Sequence, residues 1–146
     1  MICPPHMEVS MFDAPQLATL RALIERYIPA DDVPGGIAAG VDGYLIGFLQ
    51  GDGVGFLTRY SQALTALENE AQLRHGTAFA GLNGPDADAL ISALWQNDTR
   101  AVWLCDAPAT LALIAEHCAE GFYSDPRHGA NANAISWTSI GFEERR

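Results

Sequence analysis

The sequence predicts an all-α, single-domain bundle of about five helices that ends in an irregular segment rich in aromatic residues and glycine. Three observations carry this. Apolar residues recur at steps of three and four along several stretches. Capping residues, prolines and glycines bound those stretches. No alternating run is long enough for a sheet. A length of 146 residues suits one domain, and at that size roughly two-thirds of the unfolded chain's surface can be buried without staples. The expected organisation is a flexible N-terminus over 1–12 and one helical domain over 13–146, its irregular tail occupying 121–146.

The first helix is expected from Asp13 to Tyr27. Asp13 is a good N-cap, because its carboxylate can accept the free N–H groups of the first turn, and Pro15 is tolerated there. Leu17, Leu20, Ile24, Tyr27 and Ile28 form one apolar stripe, and Pro29 ends the helix. The connection through Asp31, Asp32, Pro34, Gly35 and Gly36 is rich in turn formers. A short second helix follows over about Ala38 to Leu49, broken by Gly51-Asp52-Gly53-Val54-Gly55. That glycine run lacks the Lys-Ser/Thr and the preceding strand of a phosphate-binding loop, so it reads as a turn between helices.

The third helix, about Phe56 to Arg74, has the clearest pattern, with Leu57, Tyr60, Leu64, Leu67 and Ala71 at bundle spacing. Arg74-His75-Gly76 closes it, basic side chains at the negative dipole end and glycine just beyond. A fourth helix starts near Asn83, with Pro85 and Asp86 in its first turn and Leu90, Ile91, Leu94 and Trp95 as its buried face. After Asn97-Asp98-Thr99, Ala101 to Leu104 form a helical turn or a short strand. The last helix begins at Pro108 and runs to about Gly121, with Leu111, Ile114, Cys118 and Phe122 on one side.

Charge narrows the function. Eighteen acidic residues against eight basic ones leave a net charge of −10. Nucleic acid, whose counterions only clustered Lys and Arg displace, is therefore disfavoured as a partner, as are anionic membrane surfaces. No apolar run reaches the ~20 residues a membrane span requires. No export signal is legible in the opening residues. Cys3, Cys105 and Cys118 are odd in number and form no CxxC. A reduced, buried Cys118 is favoured over a Cys105–Cys118 bridge.

Two groups carry residue types suited to chemistry of the chain's own. Glu116, His117 and Glu120 have helical metal-ligand spacing, against which stands a solvated helix face. Ser124, Asp125 and His128 contain the residue types of a nucleophilic site, but in a proline turn they serve better as helix termination. Asn131 and Asn133 read as turn formers. Asp31 and Asp32 suit either a partner's basic patch or a cap on neighbouring backbone. In the tail, Phe122, Tyr123, Trp137 and Phe142 must pack back on the bundle or be covered by a partner, because aromatic rings are common interface anchors. Two alternatives from other classes remain: a free-standing helical metal-dependent enzyme, and a binding module without a redox connection.

The stretch Gly121-Phe122-Tyr123-Ser124-Asp125-Pro126-Arg127-His128-Gly129-Ala130-Asn131, followed by Trp137, Ile140, Gly141 and Phe142, resembles the C-terminal signature of the gluconate 2-dehydrogenase subunit 3 family. Ile28-Pro29-Ala30-Asp31-Asp32 with Pro34-Gly35, and Arg74-His75-Gly76 with Phe79 and Leu82, resemble that family's upstream segments in the same order. The departures are His128 for Tyr, Ala130 for Gly, and Glu143-Glu144 where Pro-Gly is common.

The resemblance implies a non-catalytic small subunit that binds and stabilises a large FAD-dependent dehydrogenase of the glucose-methanol-choline type. Such dehydrogenases act on gluconate, glucose, fructose or related sugars, often with a cytochrome c as third subunit. FAD would belong to the large subunit and haem c to the third, with no cofactor or metal in this chain. The family's twin-arginine leader is not legible, so the expected setting is cytoplasmic, or periplasmic if a leader is removed or the chain travels with an exported partner. The expected partner interface comprises Asp31, Asp32, Phe122, Tyr123, Asp125, Pro126, Asn131, Trp137, Ile140 and Phe142.

Overall fold

The computed structural model describes residues 11–30 and 35–123, and these form five α-helices with no strand among them. The helices are α1 (Ala14–Tyr27), α2 (Val41–Gln50), α3 (Leu57–His75), α4 (Gly84–Trp95) and α5 (Ala107–Phe122). Short 3-10 turns lie at Val54–Phe56 and Phe79–Gly81. None of the helices is long and apolar enough to cross a membrane.

Local chemistry sets the ends. Asp13 caps α1 in a reciprocal box: Gln16 N–H donates to the Asp13 carboxylate at 2.8 Å, and Asp13 N–H donates to Gln16 Oε1 at 3.0 Å, which satisfies two otherwise orphaned donors. Asn83 accepts from Asp86 N–H at 2.8 Å and Asp106 from Ala109 N–H at 2.9 Å, so α4 and α5 start with side-chain caps as well. Gly76, at φ 67°, ends α3 in the left-handed conformation that glycine adopts without a Cβ penalty. Asn97 does the same after α4, at φ 61°. Asn97 N–H there donates to Leu94 C=O and Asp98 N–H to Ala93 C=O, completing a Schellman closure.

Two boundaries differ from expectation. Helix α2 begins at Val41 and not at Ala38, because Gly40 sits at φ 85° and a left-handed residue cannot continue a right-handed helix. Residues 36–40 form turns instead. The stretch from Ala101 to Leu104 is neither helix nor strand but irregular chain held by side-chain hydrogen bonds.

The core joins all five helices. Leu20, Leu23 and Ile24 of α1 meet Leu45 and Leu49 of α2, Tyr60, Leu64 and Leu67 of α3, Leu90 and Leu94 of α4, and Leu111, Ile114 and Cys118 of α5. Phe12, expected within a flexible N-terminus, is also a core residue. The four apolar side chains expected inside on α5 are all buried. Trp95 is a correction, since it is 44 % exposed at the last turn of α4. Cys105 and Cys118 are both free thiols, and burial pushes the Cys118 thiol up to about 12, where it behaves as a small apolar group.

A bidentate ion pair ties the end of α1 to α4, with Arg26 donating to Asp88 at 2.8 and 2.9 Å. Close packing of α5 on α2 requires glycine at position 121, where a Cβ would stand 2.5 Å from the Tyr44 ring.

Candidate functional site: a clamped loop and an apolar ledge

Helix α3 carries a carboxylate where an apolar bundle position would be expected. Glu70 is fully buried, and an unpartnered charge there would be strongly unfavourable. Both its oxygens are saturated. Arg74 Nε donates at 3.0 Å from the next turn of the same helix. Arg100 N–H donates at 3.1 and 2.9 Å, Ala101 N–H at 3.0 Å, and the Trp103 indole N–H at 2.8 Å. Burial alone would push the Glu70 carboxyl up. Those donors, led by Trp103 and the two backbone amides and completed by Arg74, outweigh it and hold the group below the ordinary glutamate value. Arg74 also reaches the Asp98 carbonyl at 2.6 Å. The connection between α4 and α5 is thus fastened to α3 by one charged group.

This fastening decides what the connection displays. Trp103 must point inward to reach Glu70, and Ala101 and Cys105 lie on the same half-buried side. Val102 and Leu104, which alternate with them along the chain, are turned to solvent, 80 % and 73 % exposed. Leu73 of α3, 63 % exposed, shares with Val102 a groove of about 380 Å³ whose other walls are Asn69, Gln72, Arg100 and Ala101. These three are the most exposed large apolar side chains among the described residues.

A second buried polar node links α3 to α5. His117 is nearly buried, its Nδ1 lying 2.6 Å from the Tyr60 hydroxyl. The Phe48 and Phe56 rings contact it edge-on at centroid distances of 5.0 Å. Burial lowers the His117 pKa and overrides Glu120 and Glu116, which would raise it, so the ring is neutral at physiological pH. The solvated-face reading of the Glu116, His117, Glu120 group holds for the two glutamates and not for His117. Glu116 and Glu120 are on the solvent side of α5, while His117 faces inward among aromatic rings, so the three do not converge. No group of three or more potential ligands is present among the described residues.

Of the expected interface, Phe122 and Tyr123 fall within the described residues. Phe122 is buried in the core, 6 % exposed, and Tyr123 caps α5 at 51 % exposure, the two rings meeting edge to face at 5.1 Å. Phe122 is therefore a packing residue, while Tyr123 presents surface. Asp31, Asp32, Asp125, Pro126, Asn131, Trp137, Ile140 and Phe142 lie outside the described residues. Sequence reasoning missed the Glu70 clamp and the ledge. The available signal was a glutamate on the buried face of α3, one helical turn before Arg74.

The described residues thus form a helical scaffold that fixes the display of a surface loop. That class is narrowed by comparison: the chain matches the family described as gluconate 2-dehydrogenase subunit 3 over residues 14–143, and it belongs to that family. No curated protein and no solved structure matches it.

Proposed function

We propose that this chain is the non-catalytic small subunit of a sugar or sugar-acid dehydrogenase complex, binding and stabilising a large FAD-containing catalytic subunit. The observation that carries this reading is the family match, which runs through all five helices. The flavin, and haem c where a cytochrome completes the complex, are assigned to the other subunits. Gluconate-, glucose- and glycoside-type substrates are the classes in question.

The mechanism is linkage. A subunit that binds only the folded form of its partner raises that partner's stability by mass action. The chain would contribute apolar contact area on a prefolded helical support, while hydride and electron transfer occur elsewhere.

The test is to tag the chain in its native host, isolate what accompanies it, and record subunit ratio and visible spectrum. A large yellow subunit in fixed stoichiometry, with sugar-oxidising activity, is the expected result. A colourless chain eluting alone under conditions that preserve complexes would contradict the reading.

A further inference from the structure

Resting on the accessory-subunit reading, we propose that the ledge of Leu73, Val102 and Leu104, with Arg100 at its rim, is the face that docks on the catalytic subunit. Its partner surface is an apolar ridge flanked by a carboxylate.

Three observations converge on this surface. First, it comprises the most exposed large apolar side chains of the described residues; Val102 and Leu73 line one groove, and Leu104 follows Val102 by two residues. Exposed apolar surface with a polar rim marks sites of protein contact.

Second, the ledge is held ready. Glu70 fastens the backbone at Arg100 and Ala101 and the side chain of Trp103. A loop already fixed in its bound shape loses less conformational entropy on association. The clamp that ties the α4–α5 connection to α3 thereby also holds Val102 and Leu104 in water, which prepares a contact face.

Third, the charges select the occupant. Arg74 neutralises Glu70, and the groove walls Asn69, Gln72 and Ala101 are uncharged. The Arg100 backbone N–H is bound to Glu70, whereas its exposed guanidinium has no hydrogen bond or ion pair among the described residues. It is therefore available to a carboxylate across an interface. A second copy of this chain is the poorer occupant, because each copy carries a net charge of −10 and strong like charge keeps molecules apart.

The proposal is tested by titrating the native catalytic subunit, recovered with the tagged chain, against purified variants. Val102→Asp combined with Leu104→Asp should weaken binding about 100-fold, as loss of central apolar contacts does. Arg100→Glu should weaken it about 10-fold and reduce its salt dependence. Val54→Asp, at another exposed apolar position on the α2–α3 connection, should bind as the parent chain does. Circular dichroism should match for all variants, since the substituted side chains point to solvent.

A parent chain that binds the subunit, with ledge variants that bind equally well, overturns the ledge and leaves the accessory role standing. A chain that self-associates through Val102, so that Val102→Asp abolishes a dimer, also overturns it. If the tagged chain recovers no dehydrogenase subunit, both readings fall.

Discussion

Glu70 and His117 are both buried, titratable and hydrogen-bonded, yet the fold holds them in opposite charge states. Glu70 has donors on both oxygens, from Arg74, Arg100, Ala101 and Trp103, and stays ionised. His117 has one close polar partner, Tyr60, within a box of aromatic rings, and stays neutral. The difference shows how the number and type of partners decide whether a buried group keeps its charge. It also separates two roles. The His117–Tyr60 pair joins α3 to α5 inside the bundle, whereas the Glu70 node shapes the loop that reaches the surface.

The sharpest way to break this comparison is to remove the charge with its donors left in place. Glu70→Ala would leave the Arg74 guanidinium with only Asp98, would strand the Trp103 N–H and two backbone amides, and should cost about 3–5 kcal/mol, the range for breaking a buried ion pair. Urea unfolding should show the loss, and amide exchange should show Arg100 and Ala101 losing protection. Smaller, about 1–2 kcal/mol, is the expected effect of Tyr60→Phe, which removes a single partner from a neutral ring. A loss as large as that for Glu70→Ala would mean that the histidine node is not the weaker one.

Acid should separate the two nodes by pH. The folded-state pKa of His117 is depressed, so its contribution is complete above the unfolded value of about 6.5 and declines as pH falls below it. The Glu70 pKa is also depressed, so its contribution is complete above the unfolded value near 4.3 and is lost as pH falls through the lower folded value. Stability measured from pH 7 to pH 3 should fall in two stages, and a His117→Leu chain should lack the first. A local effect concerns the entry to the clamped loop. At Asn97, whose φ is positive, replacement by Gly should be neutral or stabilising, while Val should cost about 1–2 kcal/mol in thermal unfolding.

Much of the bundle was legible because periodicity and capping are local. Asp13, Asn83 and Gly76 mark helix ends through interactions within a few residues of chain, and the Leu111, Ile114, Cys118, Phe122 face follows from helical spacing alone. The start of α2 was less legible, since nothing in Ala38-Ala39 announces that Gly40 takes a left-handed conformation. The clamp was hidden for a different reason. Glu70 meets Arg100 and Trp103 across some thirty residues of chain, and helical periodicity records only that a glutamate interrupts an apolar face. Trp95 misled because an aromatic at core spacing in a last helical turn can equally well face solvent. His117 sits beside acidic residues in sequence, although the 3.6-residue period turns it inward with Ile114 and Cys118.

On the proposed function, this chain acts through contact, lending stability to a larger subunit. Thermal unfolding of the isolated catalytic subunit with and without the purified chain, followed through flavin release, decides this. A transition that rises with chain concentration is expected, as mass action requires. A catalytic subunit that holds its flavin and unfolds at the same temperature whether or not the chain is present would contradict it.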